Sequence, residues 1–382
     1  MKGYRLLSVW GIPIRINVSL VVVLPVLAWL IGSGEQIDLY TQIINGFPIV
    51  ALDPAVLRTG NTPWLIGIAA AVGLFASVTV HELGHAWAAR RYDIEVESIT
   101  LWLLGGLANL KAMPRQWQQE LWIALAGPAA SVLVAVVCYG VVLALPASVP
   151  AVTFVVGWLV VTNLVLTVFN LLPAFPMDGG RVLRALLARS RPYAEATRTA
   201  ARIGSLFAIG FALLGVLSFS PMLLILALFV YGAANGESRM VALETLLDGV
   251  TAGDVMNSDV EVVSAETPLS ELGERMLADR QTAYSVADES GSVVGVVSLD
   301  RLRRGRRRDA TTVGDVMVET FPRVAPDAPM FEVVGLMNEE RASAALVEAD
   351  GEVVGILTSA DLATTLAVRR EAESLTGPRV AM

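Results

Sequence analysis

Long apolar stretches are the feature that most restricts how this chain can fold. Six of them lie in the first 236 residues, at about 13–32, 63–89, 120–145, 152–172, 198–217 and 220–236. A helix needs ~20 apolar residues to cross the ~30 Å of hydrocarbon in a bilayer, and the last two stretches are short by that measure. The pattern predicts a polytopic α-helical membrane protein with six spans.

Basic residues between these stretches cluster on one side of the predicted membrane. The loops after the second and fourth stretches contain groups of Lys and Arg at 90–115 and 181–202, whereas the turns at 146–150 and 218–221 contain none. Cytoplasmic loops carry the excess of Lys and Arg. We therefore expect a multi-pass protein of the cell membrane with both termini in the cytoplasm. A cleaved signal peptide at the first stretch is the alternative, because small residues follow it at 32–34.

Charge divides the chain near residue 248. Residues 1–248 contain 15 Lys and Arg against 13 Asp and Glu, a net charge of +2, while residues 249–382 contain 13 against 23, a net charge of −10. A membrane domain followed by a soluble domain accounts for this split. The overall charge of −8 argues against nucleic acid as a partner, and the single cysteine excludes an intramolecular disulfide and a cysteine-based metal cluster.

The two histidines of the chain lie in one motif inside the second apolar stretch. Residues 81–85 read His-Glu-Leu-Gly-His, and this spacing puts His81 and His85 on one helix face, where both can bind Zn²⁺. Glu82 lies beside the metal and can pass a proton from an activated water to a leaving amine. Inserting a glutamate at the middle of a membrane span costs at least ~2.5–3.5 kcal/mol of free energy, and this favours a functional role for Glu82. The alternative is two histidines that pack between helices beside a neutral Glu82.

Two histidines leave a zinc ion short of protein ligands, so a third ligand is expected from another span. The best candidate is Asp178, within residues 170–181, which read Asn-Leu-Leu-Pro-Ala-Phe-Pro-Met-Asp-Gly-Gly-Arg. Pro173 and Pro176 break a helix by removing N–H donors, and irregular backbone is tolerated at membrane depth where it lines a cavity. The alternative is that Asp178 caps a helix that begins near Arg181.

The two motifs together resemble those of the site-2 protease family of intramembrane zinc metalloproteases. The resemblance covers roughly residues 1–245 and includes the Gly-Gly pair at 105–106 and Ala-Gly-Pro at 126–128. It implies that Asp178 is the third ligand of one zinc ion per chain. It also implies that Asn170 hydrogen-bonds the oxyanion of the tetrahedral intermediate, and the alternative for this residue is a plain hydrogen bond between helices.

The resemblance further implies the substrate. Such an enzyme is an endopeptidase that cleaves in or near the transmembrane segment of a single-span protein within the lipid bilayer, in regulated intramembrane proteolysis. Residues 96–110 are rich in strand formers around a Gly-Gly turn. We expect a short membrane-embedded β-hairpin there, which pairs with an unwound stretch of substrate. The alternative is a buried apolar loop without a catalytic role.

The soluble part contains two copies of one pattern. Thr-Ala-Gly-Asp-Val-Met at 251–256 recurs as Thr-Val-Gly-Asp-Val-Met at 312–317, and Gly-Val-Val-Ser at 295–298 recurs as Gly-Ile-Leu-Thr at 355–358. The copies resemble a tandem cystathionine-β-synthase (CBS) pair, an α/β module. The predicted domains are a six-span protease domain at 1–245, a cytoplasmic CBS pair at 249–368 with copies 249–304 and 310–368, and a tail at 369–382.

CBS pairs often bind adenine nucleotides, and a Thr/Ser-x-x-Asp after the last strand holds ribose and phosphate in that family. The second copy has Thr358 and Asp361 in this pattern, whereas the first has Ser298 and Arg301. The resemblance therefore implies one nucleotide site at most. The alternative is a pair that binds no nucleotide and acts in homodimerisation or docking. Two other functions stay open for the whole chain, a CBS-regulated membrane transporter and a proteolytically inactive homologue that binds helices.

Overall fold

The structure is a computed structural model that describes residues 3–48, 50–102, 105–110, 114, 116–258, 261–279, 281–306 and 310–376. The chain divides into two compact units, Met1–Arg239 and Met240–Met382. The end of the predicted tail, residues 377–382, lies outside the described residues.

Helices dominate the first unit. Its described elements are β1 (Gly3–Val9), β2 (Ile12–Asn17), α1 (Val18–Ile31), α2 (Gly34–Ile44), α3 (Pro54–Leu57), α4 (Thr62–Arg90), β3 (Val96–Trp102), β4 (Gly105–Leu110), α5 (Trp117–Ala144), α6 (Pro150–Asn170), α7 (Asp178–Ala188), α8 (Tyr193–Leu217) and α9 (Pro221–Leu246). Among them α4, α5, α6, α8 and α9 are long and apolar enough to cross a membrane. The chain is therefore a multi-pass membrane protein.

Proline marks where several of these helices begin. α4 has Pro63 in its first turn, and α6 and α9 begin at Pro150 and Pro221. Proline suits the start of a helix because the N–H that it lacks has no partner inside the first turn. The 29 residues of α4 extend about 43 Å at 1.5 Å per residue, which exceeds the ~30 Å hydrocarbon core. The last two apolar stretches form longer helices than the sequence indicated, with 25 residues in α8 and 26 in α9.

The first apolar stretch differs from the straight span that the sequence predicts. β2 occupies its beginning, and α1 has only 14 residues before the chain bends by 69° into α2. The change from strand to helix occurs at Asn17, whose side chain accepts a hydrogen bond from the N–H of Ser19 at 2.9 Å. The described helices thus give five spans, or six if α1 and α2 together form one broken span.

One four-stranded sheet packs beside α4, with the strand order β1-β2-β3-β4. β3 and β4 pair antiparallel with Trp102 opposite Gly105, and β2 pairs parallel to β3. Ile14 of β2 and Ile99 of β3 share a buried apolar cluster with Val78 and Ala86 of α4. β1 and β2 were not expected from the sequence. The sheet is thereby held against the helix that contains the histidines, with β4 at one edge of the sheet order.

The second unit contains two small sheets with helices. Its described elements are α10 (Ala252–Val255), β5 (Val262–Ser264), α11 (Leu269–Ala278), β6 (Ala283–Ala287), β7 (Val293–Ser298), α12 (Leu299–Arg306), β8 (Arg323–Val324), α13 (Met330–Glu340), β9 (Ala344–Ala349), β10 (Glu352–Thr358) and α14 (Ser359–Thr376). The sheet orders are β5-β6-β7 and β10-β9-β8. Each copy of the sequence repeat supplies one sheet.

The two copies exchange their leading segments. The N–H of Ala252 donates to the carbonyl of Ala328 at 2.9 Å, and the N–H of Val313 donates to that of Thr267 at 2.9 Å. The apolar contacts follow the same exchange, because Val255 lies in the core of the second copy and Val313 lies in the core of the first. The sequence boundaries at 249–304 and 310–368 therefore mark repeats, and each core draws on both of them.

Candidate metal centre

Helix α4 brings the two histidines together. Because successive turns place residues i and i+4 on one face, the rings of His81 and His85 lie with centroids 4.8 Å apart, and both side chains are buried. Their Nε2 atoms are 3.1 Å apart. Two ligand atoms thus point to one place inside the helix bundle.

Asp178 reaches the same place from the start of α7. Its Oδ2 lies 3.2 Å from Nε2 of His81, and its Oδ1 lies 3.2 Å from Nε2 of His85. The N-cap of α7 is Met177, so Asp178 is the first residue of the helix and not its cap. The preceding loop packs tightly on α7, since a Cβ at Gly180 would lie 2.7 Å from backbone carbon of Ala174. Glycine at that position lets the loop direct the carboxylate towards the histidines.

The residues fit a zinc ion. Two imidazoles and one carboxylate form a donor set typical of catalytic zinc, which keeps a further position open. Ligand atoms bound tetrahedrally at 2.0–2.2 Å lie roughly 3.3–3.6 Å apart, slightly more than the 3.1–3.2 Å between the ligand atoms of the three side chains. His85 Nδ1 lies 2.7 Å from the carbonyl oxygen of Ile123, which can only accept. Nδ1 of His85 therefore carries the hydrogen and donates it to this oxygen, so Nε2 of His85 offers a lone pair to the metal.

Helix α5 orients both histidines and was not identified as part of the site from the sequence. Ser131 Oγ lies 2.9 Å from Nδ1 of His81, and Ile123 binds Nδ1 of His85 through its backbone. Such partners fix the tautomer and ring orientation of metal-binding histidines. Gly127 lies between Ile123 and Ser131 along α5. A Cβ at Gly127 would lie 2.7 Å from Nε2 of His81 and would collide with the ring of His85. Of these three residues, the sequence indicates only Gly127, through the Ala-Gly-Pro at 126–128 of the family resemblance.

Glu82 and Asn170 flank the three ligands. Glu82 is buried on α4, and a Cβ on Gly106 of β4 would lie 2.7 Å from its Cδ and Oε1. The edge strand therefore runs directly beside this carboxylate. Asn170 is the last residue of α6, and its Nδ2 lies 3.5 Å from Nε2 of His81. All five residues named by the two motifs come together at one buried site.

Thr358 and Asp361 also lie together, in the second unit. Asp361 accepts hydrogen bonds from the N–H and the hydroxyl of Thr358 at 2.9 and 2.6 Å, at the start of α14. The same arrangement occurs at Thr251 and Asp254, which form a capping box at α10. Asp361 therefore has a structural role as a cap, in addition to any contact with a ligand.

Family models match both units of the chain. The model described as peptidase family M50 matches residues 69–153 and 147–211, and these ranges include the two motifs of the metal centre. The model described as CBS domain matches residues 252–307 and 313–368. The two matches reproduce the resemblances that the motifs indicate.

Relatives match the chain along nearly its whole length. The zinc metalloprotease MJ0392 of Methanocaldococcus jannaschii is 31% identical over 372 residues, which cover 97% of this chain and 98% of the relative. Rip3 of Mycobacterium tuberculosis is 32% identical over 381 residues, which cover 95% and 92%. The solved structure of a site-2 protease from Methanocaldococcus jannaschii is 32% identical and covers 62% of this chain and 96% of that one, with a TM-score of 0.42.

Proposed function

This chain belongs to peptidase family M50, the zinc metalloproteases of site-2 protease type, and we propose that it cleaves the transmembrane segments of single-span membrane proteins. The observation that carries the proposal is the buried cluster of His81, His85 and Asp178 with Glu82 next to it on α4. A hydrolase inside a helix bundle must keep its reacting groups out of lipid, and this cluster is buried within the protein.

Each residue of the cluster has a distinct role in peptide-bond hydrolysis. His81, His85 and Asp178 hold one zinc ion, which when bound supplies a nucleophilic water at neutral pH and Lewis-acid activation. Glu82 accepts a proton from the attacking water and then donates it to the leaving amine. Asn170 donates a hydrogen bond from Nδ2 to the oxyanion that forms on the scissile carbonyl. The Nδ2 of Asn170 lies 3.5 Å from Nε2 of His81, beside the metal ligands, and this supports the role.

Zinc content and cleavage together test these roles. Purified wild-type protein is expected to contain one zinc ion per chain and to cut a tagged single-span substrate. Glu82→Gln is expected to keep the zinc and lose the cleavage, because it removes the proton acceptor and no metal ligand. Glu97→Gln, an exposed position in β3, is the matched control and should cleave normally. Wild-type protein without zinc, or cleavage by Glu82→Gln at the wild-type rate, would contradict the proposal.

The substrate binds as an added strand on the edge of the sheet at β4, which lies within the membrane. A transmembrane segment arrives as a helix with its carbonyls already hydrogen-bonded, so it must unwind before water can attack. β4 ends the described sheet order and runs past Glu82 at Gly106. Peptide substrates N-methylated at single positions test this. Cleavage should fall at alternate positions, where the substrate N–H faces β4, and an equal loss at every position would refute strand addition.

The CBS pair binds an adenine nucleotide at Thr358 and Asp361 and modulates cleavage from there. Support comes from the Thr-x-x-Asp pattern and from the hydroxyl and carboxylate that lie together after β10. Binding of AMP and ATP to the full-length protein can be measured by titration calorimetry. Asp361→Asn should weaken binding, while Asp254→Asn, which alters a similar cap in the same unit, should leave it unchanged. Equal effects of both variants would show that only folding is affected.

The protein lies in the cell membrane as a six-span chain with both termini in the cytoplasm, and it forms a homodimer through the CBS pair. The basic loops at 90–115 and 181–202 support the orientation. Cysteines introduced one at a time at residues 148 and 192 of a Cys138→Ser variant, tested with a membrane-impermeant reagent on whole cells, should react from outside only at 148. Reaction at residue 192 from outside would contradict this orientation.

The proposed homodimer has its own test. Light scattering of the detergent-solubilised protein gives the mass of the particle, and the mass of a monomer would refute the dimer.

A further inference from the structure

A buried arginine outside the metal centre joins three helices of the first unit. Arg184 of α7 is 2% exposed, and its Nε and one terminal nitrogen donate to Oε1 of Glu120 on α5 at 2.7 and 2.5 Å. Its other terminal nitrogen donates to Oε1 of Glu237 on α9 at 2.5 Å. Glu120 is 1% exposed and Glu237 is 31% exposed. The guanidinium thus links α7 to α5 and α9 at once.

Burying this cluster costs free energy, because its charged groups lose their hydration. The ion pair between Arg184 and Glu120 is almost fully buried, and Oε2 of Glu120 has no partner among the described residues. Well-packed apolar side chains would hold three helices at lower cost, because a buried ion pair must offset the desolvation of its charges. The fixed fork of the guanidinium provides defined directions that apolar packing lacks. A role in setting a position accounts for the cluster better than a role in stability.

The residue also touches the loop that leads to the metal ligand. The guanidinium carbon lies 5.0 Å from the ring centre of Phe175 and 4.9 Å from that of Tyr193. Phe175 is three residues before Asp178, and Arg184 is six residues after it. Both ends of the segment that carries the carboxylate are therefore held by one side chain.

The partner on α5 belongs to the helix that orients the histidines. Glu120 is one turn before Ile123, whose carbonyl binds His85. The bond between Arg184 and Glu120 therefore sets the start of α7 relative to the helix that orients the imidazoles. A zinc site requires this accuracy, since its ligand distances tolerate only about 0.2 Å.

The partner on α9 belongs to the helix by which the chain leaves the membrane unit. Ala234 of α9 packs with Phe175 in the first unit, and Leu243 packs against the core that contains Leu247 and Val250 in the second. Glu237 lies between these two contacts. A movement of α9 along or around its axis would therefore pull on Arg184.

We propose that Arg184 is a positioning residue that sets Asp178 at the metal site, and that Glu237 makes this position depend on α9. The inference rests on the proposed role of Asp178 as a zinc ligand. Arg184 does not touch substrate or metal and acts only through α7 and the loop before it.

Metal binding by the full-length protein tests the proposal without relying on cleavage. Zinc affinity is measured by competition with a chromophoric chelator, and Co²⁺ in place of zinc gives a visible spectrum that reports ligand geometry. Glu237→Gln and Arg184→Lys should weaken zinc binding by roughly 10- to 100-fold and change the Co²⁺ spectrum, as loss of an orienting partner does. Arg239→Gln, a charge change two residues further along α9, should match wild type. Asp178→Asn is measured in parallel.

The outcomes separate the two proposals. If Asp178→Asn loses zinc while Glu237→Gln and Arg184→Lys bind it with wild-type affinity and spectrum, the positioning role is refuted alone. If Asp178→Asn binds zinc as wild type does, the ligand role is refuted, and the positioning role fails with it. Should Arg184→Lys not fold, Glu237→Gln decides, because Glu237 is partly exposed and Arg184 keeps its bonds to Glu120.

Discussion

A single methyl group at Gly127 should weaken zinc binding at least ~100-fold. Gly127 lies on the face of α5 that packs against the two imidazoles, and helix interiors ordinarily accept alanine in place of glycine with a gain of ~0.5–1 kcal/mol. Here the Cβ of alanine would lie 2.7 Å from Nε2 of His81 and 2.5 Å from Cε1 of His85. Both rings must therefore move, or α5 must move away from α4.

The size of the movement determines the effect. An ordinary Cβ contact is at least 3.4 Å, so the ring of His81 must shift by about 0.7 Å. A zinc ligand tolerates about 0.2 Å, so the displacement exceeds the tolerance more than threefold. Overpacking costs typically ~1–3 kcal/mol, which a folded membrane domain can bear. We expect Gly127→Ala to fold with a slightly lower melting temperature and to bind zinc at least 100-fold more weakly.

Gly140→Ala provides the matched control, because the same substitution on the same helix meets no atom within 4 Å. Chelator competition gives the zinc affinity of both variants, and thermal unfolding in detergent gives their stability. Gly140→Ala should bind zinc as wild type does and unfold at the same temperature or higher. Wild-type zinc affinity in Gly127→Ala would refute the reasoning, since it would show that the rings can move without loss of the site.

Three further predictions follow from contacts around the two sites. Ser131→Ala should lower zinc affinity roughly 10- to 100-fold in chelator competition, because it removes the partner of His81. Gly106→Val should keep zinc and lose cleavage of a tagged substrate, because its side chain would displace Glu82. Hydrogen bonds from Thr251 hold the pKa of Asp254 below its ordinary value. The stabilisation of the folded protein by these hydrogen bonds is present above about pH 4 and is lost as the pH falls through the lowered pKa of Asp254. The acid-induced loss of melting temperature should therefore be smaller in Asp254→Asn.

The part of the site within one helix could be predicted from the sequence. The spacing of His81 and His85 determines that both lie on one face of α4, because the period of the helix is local and fixed. Asp178 lies 93 residues after His85, and its candidacy depended on the need for a third ligand and on a family resemblance. Spacing along the chain does not determine which helices meet. The structure brings one ligand atom from each of the three side chains within 4.8 Å of one another.

The rest of the surroundings could not be predicted for physical reasons. Ile123 contributes through a backbone carbonyl, which no side-chain pattern reveals. Arg184 lies 64 residues from Glu120 and 53 from Glu237, and each reads in isolation as an ordinary loop or helix charge. The strands at residues 3–17 depend on pairing with β3, and such pairing with a distant segment overrides local propensity.

The exchange of leading segments in the second unit has a consequence for synthesis on the ribosome. The first copy lacks Val313 and Val316 until translation has passed them, so its core cannot close when its own strands are finished. About 100 residues separate Val250 and Val255 from Leu357, which packs in the same core. The ribosome needs roughly 5–20 s to add them at 5–20 residues per second. These apolar side chains lack their packing partners during that time. The first core is therefore complete only after Val316 and the second only after Leu357, and a truncation after residue 304 leaves both cores incomplete.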